Sequence, residues 1–243
     1  MEGLTLTPVA RMESEFPTKF GIPRQSGLVE ALRGTVVFER PFRTPDALRG
    51  IRGFSHLWLI WGLSAAGREG WSATVRPPRL GGNERLGVFA TRSPFRPNPL
   101  GLSCVKLEGV ELETARGPVL YVSGADLMDG TPIYDIKPYV PYADCRPGAA
   151  EGFAPAPAAG LRVNIPPELA ARVPAPRLEA LEGVLACDPR PRYQDDPARV
   201  YGMAFAGLEV RFTVAGEELT VVAVEEAGKG SRAERKERDR HDP

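Results

Sequence analysis

Short apolar runs separated by glycine and proline are the feature that most limits how this chain can fold. The sequence contains 26 glycines and 25 prolines among 243 residues. Proline fixes φ and removes a backbone N–H donor, and glycine favours turns, so such a chain is broken into many short elements. Short strands joined by turns fit this pattern best. The sequence therefore predicts a mainly β protein with some α+β structure.

The predicted strands of the first half are apolar or alternating runs bounded by these residues. They lie at residues 4–12, 34–42, 53–64, 86–92, 101–113 and 117–127. The run at 53–64 is apolar at nearly every position, which predicts a strand buried on both faces. The last two runs flank the sequence ETARG and predict a hairpin.

The composition changes at about residue 146. The sequence RPGAAEGFAPAPAAG is rich in Ala, Pro and Gly and is typical of a linker. Beyond it, one helical segment is predicted because Leu178, Leu181 and Leu185 share a face, and two or three strands follow. We therefore predict an N-terminal β domain over residues 1–145 and a small α+β C-terminal domain over 146–228.

The last segment, residues 229–243, is densely charged, which predicts a disordered tail. Such a tail can contact RNA or remain a solvated extension, and the second interpretation is favoured. The formal net charge of the whole chain is zero, so any basic surface must be local.

Several classes of protein are excluded by what the sequence lacks. Cys104, Cys145 and Cys187 lie far apart without a C-x-x-C pair, which predicts reduced, buried thiols rather than zinc or disulfides. His56 and His241 are the only histidines, and His56 lies in an apolar run, so a core role is favoured over a metal site or a catalytic triad. No secretory signal and no apolar stretch of membrane-spanning length is present, so we expect a cytoplasmic protein. Because the cysteines and histidines offer no ligand set, we also expect no metal.

The most distinctive candidate site is the loop ATRSPFRPNPLGLS at residues 90–103. Its three prolines give a stiff backbone with more carbonyl acceptors than donors, which suits a cationic or amine-bearing ligand. The surrounding segment carries seven basic residues, Arg68, Arg76, Arg79, Arg85, Arg92, Arg96 and Lys106. Phe95 and Trp71 offer faces of the kind that stack on unpaired bases. A solvated surface loop explains the charge equally well at this stage.

Two further segments combine rigid backbone with polar side chains. In GADLMDGTPIYDIKPY, Asp126, Asp129 and Asp135 cluster beside Lys137 and Tyr139. A carboxylate there can bind ribose hydroxyls or lie near a sulfonium, although turn chemistry alone also explains the D-G-T-P sequence. The other segment is KFGIPRQSGL, where a proline precedes Arg and Gln. Neither a phosphate-binding P-loop nor a dinucleotide glycine fingerprint is present.

These motifs together resemble one family. KFGIPRQSGL, GFSHLWLI, TVRPPRLGGNERLGVFATRSPFRPNPLGLS and DGTPIYDIKPYVP are similar to the tRNA threonylcarbamoyladenosine N6-methyltransferases, the TsaA-like or TrmO-like enzymes. DPRPRYQ and VYGMAFAGLEVRF resemble the C-terminal domain of that family. The resemblance covers nearly the whole chain except the charged tail.

The resemblance implies an N-terminal β-barrel-like domain that uses S-adenosylmethionine and works as a homodimer. The implied substrate is a tRNA carrying N6-threonylcarbamoyladenosine beside the anticodon, methylated on N6. The implied donor-binding residues are Pro23, Arg24, Gln25, Ser64, Ala65, Arg92, Leu102, Asp129, Gly130, Thr131 and Pro132. The family often has His and a polar residue where this chain has Ser64 and Ala65, which offer less side-chain hydrogen bonding. Asp135 and Tyr139 are interpreted as bases or orienting groups.

Two alternatives remain beside this interpretation. One is an RNA-binding β-barrel that has lost methyl transfer, and the departure at Ser64 and Ala65 is the feature that favours it. The other is an S-adenosylmethionine-dependent enzyme acting on a small molecule. Donor binding separates the first alternative from the enzyme, and tRNA binding separates the second.

Overall fold

The fold consists of twelve strands and three short helices in the part of the chain that the structure describes. The computed structural model describes residues 3–63, 70–81, 83–154, 160–191 and 196–228, without the side chain of Arg79. The strands are β1 (Ala10–Ser14), β2 (Arg33–Phe38), β3 (His56–Gly62), β4 (Thr74–Val75), β5 (Leu86–Gly87), β6 (Leu100–Glu111), β7 (Val119–Ser123), β8 (Pro132–Pro138), β9 (Arg162–Asn164), β10 (Tyr201–Phe205), β11 (Leu208–Ala215) and β12 (Glu218–Glu226). The helices are α1 (Pro141–Asp144), α2 (Pro167–Ala170) and α3 (Ala175–Ala186).

Six strands of the N-terminal half form a closed antiparallel barrel in the order β1-β2-β7-β6-β3-β8. The barrel closes where Ala10 of β1 pairs with Ile133 of β8. Closure leaves no unpaired edge strand, so every strand of the barrel has two hydrogen-bonded neighbours. The mainly β, barrel-like fold predicted for this half is confirmed, and β6 and β7 form the predicted hairpin.

The barrel interior is filled by alternate residues of each strand. Leu57 and Leu59 of β3 are fully buried, whereas His56, Trp58 and Ile60 point outwards and are half-buried. The prediction that this run is buried on both faces was therefore wrong. A barrel strand has one inner face, and the apolar residues of β3 that alternate with it form part of the barrel's outer surface.

Three connections of the barrel emerge at the same end. Gly62 at the end of β3 pairs with Leu100 at the start of β6, and Ser14 at the end of β1 pairs with Gly34 near the start of β2. Residues 15–32, 63–99 and 124–131 therefore connect strands at the same end, which we call the loop end. Most of the candidate site residues belong to these three connections or to the strand residues next to them.

The C-terminal half is a four-stranded sheet in the order β10-β11-β12-β9, covered by helix α3. The predicted helix is confirmed, since Leu181 and Leu185 are fully buried and Leu178 packs beside them. Two or three strands were predicted after the helix, and three form, β10 to β12. Gly183 of α3 faces the first connection of the barrel, because a Cβ atom there would lie 2.6 Å from Cγ1 of Val29.

That last contact belongs to a core shared by the two halves of the chain. Phe16, Val29 and Leu32 come from the first connection of the barrel, yet they are buried in the same cluster as the C-terminal sheet. The rings of Phe16 and Phe205 meet edge to face with centroids 5.4 Å apart. The first connection of the barrel is therefore held by the C-terminal sheet rather than by the barrel alone.

Some predicted details differ from the structure. β1 begins only at Ala10, because Pro8 lacks an N–H donor and the side chain of Leu4 is 87% exposed. The run at 86–92 forms a two-residue strand followed by a 3-10 turn, Val88–Ala90, instead of a longer strand. All three cysteines are free, but none is fully buried: Cys104 and Cys187 are half-buried and Cys145 is exposed.

Replacing Phe16 by Ala should destabilise the protein by about 3–5 kcal/mol, because it removes a fully buried ring and leaves a cavity between the first connection and the C-terminal sheet. Urea denaturation followed by circular dichroism measures this loss. Leu4→Ala is the matched control, since Leu4 is exposed, and it should change the free energy of unfolding by less than about 0.5 kcal/mol. Equal effects of the two substitutions would contradict the shared core.

Candidate functional site

A hydrogen bond between two of the predicted site residues joins two connections at the loop end. Nη1 of Arg92 donates to Oε1 of Gln25. Gln25 also donates through Nε2 to the backbone carbonyl of Arg24. Pro23 is buried, whereas Arg24 and Arg92 are exposed. The structure therefore brings the P-R-Q sequence together with the arginine of the proline-rich loop.

The proline-rich loop is held by its own polar groups. Nη1 of Arg96 donates to the carbonyls of Thr91 and Ser93 at 3.1 and 3.2 Å. Oγ1 of Thr91 donates to the carbonyl of Val88 at 2.9 Å, and the amide of Ser93 donates to Oγ1 of Thr91 at 3.2 Å. Arg96 is thus used to shape the loop, while Arg92 is left exposed towards the other connection.

A buried polar network lies behind this pair, at the mouth of the barrel. Oγ of Ser103 donates to Oδ1 of Asp126 at 2.5 Å, and Nε1 of Trp61 donates to Oγ of Ser103 at 2.9 Å. The indole can reach Ser103 because residue 101 is glycine: a Cβ atom there would lie 2.2 Å from Cε2 of Trp61. Three separate parts of the chain therefore converge on one carboxyl group.

The pKa of the Asp126 carboxyl is raised by burial and lowered by its neighbours. Burial raises the pKa of its carboxyl above the ordinary value of 3.8, since the charged form loses hydration. The hydrogen bond from Ser103, the backbone N–H groups of Asp126 and Ser26, and the positive charge of Arg92 lower the pKa in opposition. The hydroxyl of Ser26 in turn accepts from the amide of Cys104 at 3.1 Å. Asp126 therefore links both connections to strand β6.

The D-G-T-P turn is fixed against strand β1. The amide of Gly130 donates to the carbonyl of Met12 at 2.8 Å, and the amide of Ser14 donates to Oδ1 of Asp129 at 3.2 Å. Oγ1 of Thr131 donates to the carbonyl of Met128 at 2.7 Å. Gly130 has a φ of +76°, which glycine adopts without strain. Turn chemistry thus explains the sequence, and the turn, which ends at Pro132, lies at the loop end with Arg92 and Asp126.

The two predicted catalytic residues lie away from this network. Asp135 is on the outer face of β8 and forms an ion pair with Lys137 at 2.9 Å. Tyr139 follows the other end of β8, where its amide donates to the carbonyl of His56 at 3.0 Å and its ring contacts the rings of His56 and Trp58. Burial, followed by the neighbouring Cys145 and Cys104, raises the pKa of the Tyr139 hydroxyl.

The remaining predicted donor residues lie outside the hydrogen-bonded network or outside the described part of the chain. Leu102 lies on the outer face of β6 beside Ser103, and its side chain is 55% exposed. Ser64 and Ala65 lie outside the described residues. Gly21, just before the P-R-Q sequence, has a φ of +90°, and a Cβ atom there would lie 2.2 Å from Sδ of Met203 in the C-terminal sheet.

Sequence reasoning noted Asp126 only as one member of an acidic cluster. It missed the partners Ser26 and Ser103, and Trp61, which donates to Ser103. A signal was present for Ser103. It alternates with Val105 on the inner face of β6, and a serine at an interior barrel position usually makes a hydrogen bond inside. Nothing in the sequence indicated that Trp61 would supply that bond.

Within the described part of the chain, no group of three His, Cys, Asp or Glu side chains is arranged to hold a metal ion. The helices described are also too short or too polar to cross a membrane. The polar groups described at the loop end are an exposed guanidinium, a carboxyl held by hydrogen bonds and the backbone of a fixed turn.

We expect the carboxyl of Asp126 to titrate above pH 3.8, because burial disfavours its charged form. Ser103→Ala should raise this pKa further, since it removes the hydrogen bond that favours the carboxylate. Carbon-13 NMR of the side-chain carboxyls during a pH titration measures both values. Ser123→Ala is the matched control, because that buried serine donates to Glu108 at 2.7 Å instead. An Asp126 pKa at or below 3.8, or one that Ser103→Ala leaves unchanged, would contradict this network.

Comparison with known proteins places this geometry in a family. The model of the tRNA-methyltransferase O N-terminal domain matches residues 11–145, and that of the TrmO C-terminal domain matches residues 158–227. The tRNA (adenine(37)-N6)-methyltransferase of Escherichia coli (strain K12) is 40% identical over 235 residues, which cover 93% of this chain and 99% of that protein. A protein of the same description from Eikenella corrodens is 52% identical over 162 residues, covering 66% of this chain and 91% of that protein.

Solved structures agree with the sequence comparison. A crystal structure of TrmO from Pseudomonas aeruginosa has a TM-score of 0.75 and 37% identity, and the match covers 92% of this chain and 98% of that chain. The likeness therefore extends through both the barrel and the C-terminal sheet. On these grounds the chain belongs to the TrmO family of tRNA methyltransferases.

Proposed function

We propose that this protein transfers a methyl group from S-adenosylmethionine to N6 of N6-threonylcarbamoyladenosine, next to the anticodon of a tRNA. The observation that carries the proposal is the junction of Arg92, Gln25 and Asp126 at the loop end of a closed barrel. Family membership supports the reaction class, because the E. coli relative is a tRNA (adenine(37)-N6)-methyltransferase. The identity of the modified base and its place beside the anticodon are what we propose beyond the reaction class.

The residues at the loop end fit the chemistry of the methyl donor. S-adenosylmethionine offers a carboxylate, cationic groups, ribose hydroxyls and a flat purine. The exposed guanidinium of Arg92 suits the carboxylate, the carboxyl of Asp129 suits hydroxyls or a cation, and the exposed side chain of Leu102 suits the purine. The full proposed donor site comprises Pro23, Arg24, Gln25, Ser64, Ala65, Arg92, Leu102, Asp129, Gly130, Thr131 and Pro132.

The protein's contribution to the reaction is mainly alignment. The donor, when bound, supplies an activated methyl group on a good leaving group, so the chain needs little acid catalysis. A loop fixed by Arg96 and Thr91 loses little freedom when substrates bind, and correct alignment is worth on the order of 7–11 kcal/mol in favourable cases. Rigidity at this loop therefore serves rate rather than fold stability.

The N6 atom must lose a proton, and we propose Asp135 as the acceptor. Asp135 pairs with Ile60 of β3, which on its other side pairs with Leu102 of the proposed donor site. Its carboxylate is oriented by Lys137. The raised pKa of Tyr139 keeps its phenol protonated at neutral pH, so its proposed role is to orient a neighbouring group by donating a hydrogen bond.

We also propose that the protein is a cytoplasmic homodimer. Leu100 on β6 is exposed beside the half-buried Trp58 and Ile60 of β3, and together they form an apolar outer face of the barrel. A second copy covering this face would remove that surface from water. Sedimentation equilibrium gives the mass in solution, and a monomer at all concentrations would contradict this assembly.

The proposed activity predicts one added methyl group in the nucleosides of tRNA bearing N6-threonylcarbamoyladenosine, after incubation with the protein and S-adenosylmethionine. Mass spectrometry of the digested tRNA measures it.

Arg92→Ala should lower kcat/KM for the donor roughly 10- to 100-fold, because a charged hydrogen bond is lost. Arg211→Ala, an exposed arginine on β11, is the control and should act as wild type.

The outcomes separate the alternatives. A protein that binds the tRNA but gives no heat with S-adenosylmethionine in calorimetry would be a binding module, and the proposal would be wrong. Donor binding without any affinity for tRNA would indicate a small-molecule methyltransferase. Normal methylation by Arg92→Ala would leave the reaction in place but overturn the donor site.

Gly21→Ala tests whether the C-terminal sheet positions the donor site. The added Cβ would collide with Met203 and adopt an unfavourable φ, so the P-R-Q sequence should shift and donor affinity should fall about tenfold. Calorimetry with S-adenosylmethionine measures this. Gly216→Ala also has a positive φ, but no atom lies within 4 Å of its Cβ, so it controls for backbone strain alone. Equal donor affinities in the two variants would contradict positioning by the sheet.

A further inference from the structure

Two aromatic side chains stand exposed on the connection between β3 and β6. The side chain of Phe89 is 75% exposed and that of Trp71 is 55% exposed. Two large apolar side chains exposed on one connection are unusual on a surface that contacts nothing. Neither residue belongs to the proposed donor site or to the proposed proton transfer.

Both residues belong to residues 70–99, the segment built around the β4–β5 ladder, which we call the unit. β4 and β5 pair with Thr74 opposite Gly87, and the amide of Val88 donates to the carbonyl of Ala73 at 2.9 Å. Phe89 lies in the 3-10 turn that follows β5, and Trp71 lies two residues before Ala73, so the two rings flank the same short ladder. Val88 is fully buried, so it anchors the turn whose next residue is Phe89.

The charge of this unit points to an anionic partner. Residues 70–99 contain five arginines and one glutamate in a chain whose formal net charge is zero. Arg76, Arg85 and Arg92 are exposed there. Arginine side chains attract phosphates, and exposed aromatic faces stack on unpaired bases, so the combination fits a single-stranded nucleic acid loop better than an apolar protein surface.

The unit is also joined to the proposed donor site. Oγ1 of Thr91 donates to the carbonyl of Val88, and the next residue, Arg92, donates to Gln25. Phe89 is therefore three residues from an arginine of the donor site, on a loop whose backbone is fixed. A base stacked on Phe89 would be held at a constant position relative to that site.

We infer that Phe89, together with Trp71, forms a stacking platform for the unpaired bases of an RNA anticodon loop, flanked by Arg76 and Arg85 as phosphate contacts. This inference rests on the proposed function and adds the residues that hold the acceptor RNA. The platform distinguishes an open loop from a duplex, because paired bases do not expose their faces.

The test is the affinity of the full-length protein for a fluorescently labelled anticodon stem-loop RNA, measured by anisotropy. Phe89→Ala should weaken binding roughly 5- to 150-fold, whereas Phe89→Trp should bind as wild type. Val222→Ala, at a half-exposed apolar position on β12, is the matched control. A fully paired RNA of the same length should bind wild type and Phe89→Ala equally, because phosphate contacts alone remain.

Separate measurements distinguish failure of the stacking platform from failure of the proposed function. Donor affinity in calorimetry should be the same in Phe89→Ala and wild type. If Phe89→Ala binds the stem-loop as wild type does while wild type methylates tRNA, the platform is wrong and the proposed function stands. A change in mass by sedimentation on Phe89→Ala would instead assign the aromatic pair to contact between copies and overturn the inference. Absence of RNA binding by wild type would overturn both.

Discussion

The packing of residues 16–32 against the C-terminal sheet is the constraint on which the site depends. This connection leaves the barrel at Ser14 and returns at Arg33, and between them Phe16 and Val29 are buried against β10 and α3. Gly21 lets the chain pass directly over Met203, and the P-R-Q sequence follows at once. A free loop of this length would lose conformational entropy on every binding event. Packing it in a core means that this entropy is lost during folding, before any ligand binds.

Asp126 shows a second way in which the loop end is ordered. A carboxyl taken out of water is unfavourable unless it is paired, and here Ser103, backbone amides and Arg92 share that task. Each partner comes from a different stretch of chain, so satisfying the carboxyl fixes all of them relative to one another. Removing a single partner leaves a buried charge poorly compensated, which costs more than the lost bond alone. The network therefore gives specificity of arrangement more than stability.

The sequence predicted most elements but fewer of their contacts. Strand and helix positions such as β6, β7 and α3 followed from alternation and helical periodicity, which are local signals. The bond from Trp61 to Ser103 depends on pairing between β3 and β6, and the burial of Phe16 depends on residues nearly 200 positions later. Such contacts are set by tertiary packing, so no local pattern contains them. Of the predicted site residues, Gln25 and Arg92 are brought together, whereas the candidate bases Asp135 and Tyr139 lie along β8, away from Arg92.

The rigid basic loop of residues 90–103 divides its charges between two tasks. Arg96 is turned inwards to carbonyls of Thr91 and Ser93, where it replaces the N–H donors that the prolines lack. Arg92 is turned outwards to Gln25 of the other connection, and its positive charge lowers the pKa of Asp126. The same residue type thus builds the loop at one position and presents a charge at the other. Because charge alone does not distinguish the two, the number of arginines in such a segment overstates the surface available to a phosphate.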